Sequence, residues 1–174
     1  MPMQLTPKRY FDFCATHVPL LHAIAQKPGD VSEAQVRQLI MNLLTNASDA
    51  IGGRDGTITV ATGVVLADRP YLAATYLDED LPEGQYVWLE VSDTGCGMDA
   101  ETQRRMFDPF FTTKQTGHGL GLSATLGIVR GHRGALRVYS EPQRGTTIKV
   151  LLPAVPSGQP TTDSPPEPES VGRA

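Results

Sequence analysis

Seven apolar residues, Val36, Leu39, Ile40, Leu43, Leu44, Ala47 and Ile51, recur at helical spacing between Ser32 and the pair Gly52-Gly53. A stripe that regular obliges the chain to lay one long helix on an apolar core. Ser32 with Gln35 forms a capping box and the glycine pair a stop, so the spacing predicts a helix bounded by them. At about 100° per residue, Gln38, Asn42, Asn46 and Asp49 fall within an arc of about 80° at the edge of the stripe. A solvated face is one reading of that arc. Two asparagines one turn apart, both poor helix formers, speak for a site.

Such a helix needs a partner surface, and the later sequence offers strands. Thr57 to Val65 and Tyr86 to Ser92 are rich in β-branched and aromatic residues, and Ala135 to Ser140 with Thr146 to Leu152 reads as a hairpin. Asp99 to Met106 is a short helix with Asp99 as N-cap, and Gly119 to Arg130 is a second one entered through glycine. Between the first two strands, Ala67 to Gln85 carries Asp-Arg-Pro and an acidic run and reads mostly as a solvated loop. The order helix, strand, strand, helix, loop, helix, strand, strand indicates an α+β fold.

The 174 residues fit one domain with flanking segments. Residues 1–30 form an N-terminal segment, a remnant or lead-in; residues 31–153 form the domain; and residues 154–174, Pro/Ser/Thr/Glu-rich, are expected to be disordered because they have almost nothing to bury. A formal charge of −4 gives no sign of wholesale binding to nucleic acid or to a membrane surface. Cys14 and Cys96 stand in no CxxC spacing, so neither a zinc site nor a redox motif is read from them, and both are expected to be reduced. With no apolar leader and no run of ~20 apolar residues, the expectation is a soluble, cytoplasmic chain.

Two glycine-rich segments compete for a phosphate role. Gly95-Cys96-Gly97-Met98-Asp99-Ala100 formally meets the dinucleotide pattern, but a short helix follows, and the position about 20 residues on is Thr113-Lys114, not an acid. Gly117-His118-Gly119-Leu120-Gly121-Leu122-Ser123 lacks the Gly-Lys-Ser/Thr ending of a P-loop. Its alternating glycines let backbone amides approach an anion at a helix start, although a flexible capping turn would look the same.

Taken in order, the segments resemble a known family. Gln38 to Ala50, with Asn42 and Asn46, resembles the N box of the histidine-kinase ATP-binding domain, and Asp93-x-Gly95-x-Gly97 resembles its G1 box. Phe107-Asp108-Pro109-Phe110-Phe111-Thr112-Thr113-Lys114 resembles the F box, Gly117-x-Gly119-Leu120-Gly121-Leu122 the G2 box, and Gly145-Thr146-Thr147 the closing Gly-Thr element. The resemblance covers about residues 30 to 153. It implies the Bergerat fold of gyrase, mismatch-repair and heat-shock chaperone ATPases: a two-layer sandwich, a mixed sheet covered by helices, with a mobile lid over ATP.

The resemblance gives each box a role that its chemistry suits. Asn46 is a neutral oxygen donor for Mg²⁺, and Asn42, Asn46 and Lys114 make the catalytic set. An ionised Asp93 is acceptor-only and selects the adenine amine, and Gly95 and Gly97 let the backbone pass the base. Thr113, Lys114, Gly117, the Gly119, Leu120, Gly121 and Leu122 amides, and Thr146 complete the ATP contacts. The three phenylalanines Phe107, Phe110 and Phe111 are either an anchor for the lid or plain core.

The expected activity is transfer of the γ-phosphoryl to a histidine on a separate dimerisation and phosphoacceptor domain, in cis or in trans, with a response regulator receiver domain downstream. His17, His22, His118 and His132 lack the acidic neighbour of an acceptor motif or fall inside or just after the ATP-binding boxes. A gyrase-like or chaperone-like ATPase is the first alternative, but those relatives place a Glu where this chain has Asn42, which cannot take a proton. A non-catalytic ATP-binding module is the second.

Overall fold

The structure, a computed structural model, describes residues 32–76, 81–114 and 119–154. The expectations for residues 1–30, for nearly all of the tail, and for Cys14, His17, His22, Gly117 and His118 lie outside the described residues.

Helix α1 spans Glu33–Ile51. Its start is the capping box: Gln35 N donates to Ser32 Oγ at 3.2 Å, and Ser32 N donates to Gln35 Oε1 at 3.3 Å. Its end is Gly52, at φ 66°, a left-handed turn that glycine adopts without strain. Strands β1 (Ile58–Ala67) and β2 (Gly84–Asp93) pair antiparallel from Ile58 opposite Asp93 to Ala67 opposite Gly84. Helix α2 is Arg69–Ala73, α3 is Ala100–Arg105 and α4 is Gly121–Gly131. Strands β3 (Ala135–Glu141) and β4 (Gly145–Pro153) form the predicted hairpin.

The sheet order is β1-β2-β4-β3. Every described strand pair is antiparallel, so the α+β sandwich holds while the expected mixed sheet is not seen among the described residues. The reason is topological. Strands β2 and β3 run the same way, as a helical crossover predicts, but the hairpin returns β4 into the gap between them and hydrogen-bonds to both.

Alternation along the strands builds two cores. Val87, Leu89 and Val91 of β2 with Ile148, Val150 and Leu152 of β4 meet the α1 stripe, and Val129 of α4 joins them. On the opposite face, Ala67, Leu72, Leu81, Tyr86, Ala135 and Leu151 form a smaller cluster. Trp88 also faces that side, and its ring lies over Gly63, where a Cβ would come 2.7 Å from Trp88 Cζ2.

The smaller cluster corrects the reading of Ala67 to Gln85 as mostly solvated loop. Asp68 caps α2 by accepting from Tyr71 N at 2.9 Å, Pro70 sits in the first turn, and Leu72 is buried. Asp-Arg-Pro marks a loop and a helix start equally well, and only a core for Leu72 to enter separates the two. The strands are correspondingly longer than predicted, reaching Ala67 and Gly84. Helix α4 starts at Gly121 rather than Gly119, because Gly119 has φ 65°, which is incompatible with a helical turn.

Replacing Leu72 by Ala is therefore expected to cost about 2 kcal/mol or more, the lower end for a buried leucine because a short helix can settle inward. A urea denaturation curve on this variant checks it. An unchanged midpoint would return α2 to the status of an exposed loop.

Candidate functional site

The end of β2, the loop after it and the C-terminal half of α1 meet at one place. Cys96 N donates to the Ala50 carbonyl at 2.9 Å, which ties the loop to the last turn of α1. Gly95 is required there, since a Cβ would stand 2.5 Å from the Ala50 carbonyl carbon. Gly97, at φ 64°, turns left-handed against the Glu141 carbonyl, where a side chain has no room. On the other side, Met98 N donates to Ser140 Oγ at 2.8 Å and Gln143 N to the Cys96 carbonyl at 2.7 Å.

Asp93 is the centre of this arrangement and is buried. Its Oδ1 accepts from Gly95 N at 2.8 Å and from Thr146 N at 3.3 Å. Oδ2 takes no hydrogen bond from a described residue, which leaves a carboxylate oxygen for a ligand's amine. The turn thus uses one oxygen of Asp93 and leaves the other open. Burial pushes its carboxyl above the usual range, and the two backbone donors pull it back in part. Thr146 is buried beside it, its hydroxyl 2.9 Å from Ser140 Oγ.

The asparagines lie on the edge of α1 that the wheel predicted. Asn42 Nδ2 donates to the Gly121 carbonyl at 3.0 Å, bracing α1 against the first residue of α4. A Cβ on Gly121 would lie 3.7 Å from Asn46 Nδ2, an ordinary van der Waals contact, so the start of α4 lies directly beside both amides. Lys114 reaches across from the segment before α4: its Nζ is 2.7 Å from Asn46 Oδ1 and 2.7 Å from Asp49 Oδ2. Thr113 is exposed and adjacent in sequence, and Leu120 is exposed just ahead of α4. Leu122, partly buried, packs its side chain against the core. Gly119 turns against Phe110 and Phe111, with its carbonyl accepting from Phe110 N at 3.1 Å.

Residues 31–156 match the family described as Histidine kinase-, DNA gyrase B-, and HSP90-like ATPase. The chain belongs to this family. It is 41% identical over 134 residues to the sensor kinase CckA of Brucella abortus, covering 75% of this chain and 14% of that protein. It is 40% identical over 123 residues to the sensory histidine kinase/phosphatase NtrB of Rhizobium meliloti, covering 69% of this chain and 30% of that one. The catalytic domain of histidine kinase ThkA superposes with a TM-score of 0.51 at 25% identity, covering 71% of this chain and 68% of that chain. The chain spans less than a third of the length of these curated relatives.

Membership implies ATP binding, and the groups gathered here have chemistry that suits it: a buried carboxylate at one end, a glycine-lined helix start and a lysine at the other. The donor set also suits Mg²⁺, because a cationic group already lies between Asn46 Oδ1 and Asp49 Oδ2. Among the described residues no three His, Cys, Asp or Glu side chains gather to hold a metal, so phosphate oxygens would complete the shell. A cavity of about 450 Å³ opens elsewhere, between Ala74–Tyr76, α3 and Arg137–Tyr139, and contains none of these residues. No helix among the described residues is long and apolar enough to cross a membrane.

Sequence reasoning assigned no role to Asp49, Ser140 or the Ala50 carbonyl. Asp49 was legible as a member of the polar arc. Ser140 carried no signal, since its partner Met98 lies 42 residues away.

The raised Asp93 carboxyl makes a pH prediction whose sign follows from linkage. Between the ordinary value of about 3.9 and the raised one, the folded chain keeps a proton that the unfolded chain has shed. The ionised form thus costs stability above that window, and acidification through it relieves the cost. An amine-accepting carboxylate must also be ionised, so nucleotide affinity should fall on acidification at a pH above the ordinary aspartate range. Titrating the wild type and Asp93→Asn with the same nucleotide from neutral to acid pH checks this, because protonation of the nucleotide is common to both. A ratio of affinities that stays flat would remove Asp93 from base recognition.

Proposed function

We propose that this chain is the ATP-binding, phosphoryl-donating domain of a two-component histidine kinase that works in the cytoplasm, where ATP is held. The observation that carries the reading is Asn42. A hydrolytic relative needs a base one turn before the metal-binding Asn46. Here that position holds an amide whose N–H is committed to the Gly121 carbonyl at 3.0 Å. With no base to activate water, the favoured acceptor is a nucleophile that needs little activation.

Asp93 Oδ2 accepts from the adenine amine, and Gly95 and Gly97 let the backbone lie close to the base. Asn46 supplies one oxygen to Mg²⁺, which screens phosphate charge when bound. Thr113, Lys114, Gly117, Thr146 and the amides of Gly119, Leu120, Gly121 and Leu122 orient the phosphates. Gly119 and Gly121 permit the close approach, and the unpaired N–H groups at the start of α4 favour negative charge there. In the transfer, a ring nitrogen of the acceptor histidine bonds to the γ-phosphorus while the bond to the β,γ-bridging oxygen breaks. ADP leaves with that electron pair, and the ring proton passes to solvent.

The histidine stands on a dimerisation and phosphoacceptor domain, in cis within a longer protein or on another chain, and a receiver domain of a response regulator takes the phosphoryl next. The names of the sensor kinases to which the chain is similar support this partnership.

The test is to incubate the chain with γ-labelled ATP, Mg²⁺ and a histidine-bearing helical hairpin from one of these relatives. Acid-labile, base-stable label on the hairpin is expected, with little phosphate release by the chain alone. Asp93→Ala should weaken ATP by about ten-fold or more, the scale of one hydrogen bond to a charged group. Steady phosphate release that survives Asn42→Ala would instead favour the hydrolytic reading.

A further inference from the structure

Asp49 stands inside the segment that resembles the N box, but the resemblance gives it no role, and it shares the Lys114 ammonium with Asn46. Both oxygens lie 2.7 Å from Nζ, one neutral and one carrying a full charge. They stand three residues apart on α1, on one face of the helix. Two oxygens converging on one cation from a rigid helix are a cation seat, whatever ion fills it. The side chains of Lys114 and Asp49 are 37% and 45% exposed, so the ammonium is held by a contact that water can replace.

We propose that Asp49 and Asn46 together form the cation seat of this domain, that Lys114 fills it in the nucleotide-free protein, and that Lys114 yields it to Mg²⁺ when ATP binds. The proposal rests on the nucleotide reading above and adds a residue and an exchange to it. Three consequences follow from charge alone. The seat holds a positive charge before and after the exchange, first Lys114 and then Mg²⁺, so Asp49 does not face ATP phosphates uncompensated. Lys114, once displaced, is free to meet the phosphates. Nucleotide without metal meets an occupied seat and a lysine still engaged with Asp49, which makes binding metal-dependent.

The experiment uses two probes: Mn²⁺ alone, followed by electron paramagnetic resonance on the nucleotide-free chain, and a non-hydrolysable ATP analogue titrated calorimetrically with and without Mg²⁺. Lys114→Met, which removes the resident cation, should bind Mn²⁺ alone about threefold tighter than wild type, the scale of an exposed ion pair. Asp49→Asn should bind Mn²⁺ more weakly and lose about tenfold of the Mg²⁺ enhancement of analogue affinity, in the range found when groups around a metal are removed. Asp49→Glu, which keeps the charge, should retain most of that enhancement, and circular dichroism melts on each variant confirm the fold.

If Asp49 merely tethers the lysine, Asp49→Asn frees Lys114 and the Mg²⁺-analogue binds as tightly as to wild type or tighter, which overturns the seat. Unchanged Mn²⁺ affinity in Lys114→Met overturns the exchange. Failure of wild type to bind the analogue in either buffer would count against the nucleotide reading instead, while the Mn²⁺ titration still decides the seat.

Discussion

The burial of the α1 stripe against β2 and β4 is the contact on which the rest of the molecule depends. Ile40, Leu39 and Leu43 are almost wholly enclosed, and each buried side chain of that kind contributes about 1.5 to 3 kcal/mol. Asparagine in a helix costs less than about 0.7 kcal/mol relative to alanine, so the stripe easily carries Asn42 and Asn46. Because the stripe has only one orientation on the sheet, the adjacent arc has only one as well. Asn42, Asn46 and Asp49 are therefore delivered to the same side as Gly121 and Lys114 by a contact in which none of them takes part.

The two ends of the site differ in character for a physical reason. At the Asp93 end the groups are buried, and the glycine loop is held by hydrogen bonds to Ala50, Ser140 and Gln143, none of them near it in sequence. The base-reading role proposed for Asp93 needs donors and acceptors that do not move, and burial raises the cost of a mismatch. At the Lys114 end the ion pair with Asp49 is partly exposed, worth at most about 1 kcal/mol. The cation exchange and phosphate binding proposed for that end call for weak, solvated contacts of this kind.

Several elements were legible because their signals are local. Ser32 with Gln35, Gly52, Asp99 with Thr102, and the turn between β3 and β4 are each specified within a few residues, and each stands where the pattern put it. The failures share a different cause. Asp68-Arg69-Pro70 is ambiguous until Leu72 has a cluster to enter, and the mixed sheet that the resemblance implied gives way to an antiparallel one because the hairpin inserts β4 between two parallel-running strands. Neither fact is present in any short window of sequence.

The sequence by itself determined the list of chemical groups and their order: an amide-bearing amphipathic helix, a carboxylate at a strand end, two glycine-rich turns and a lysine. It also determined that the position one turn before Asn46 holds an amide, Asn42, rather than a base, and the proposed choice of phosphoryl transfer over hydrolysis rests on that. Tertiary structure alone decided which groups touch. Lys114 meets Asn46 and Asp49 across separations of 68 and 65 residues, and Thr146 meets Asp93 across 53. Such contacts depend on how a helix and a sheet pack, and packing is set by the summed burial of many side chains rather than by the residues that come into contact.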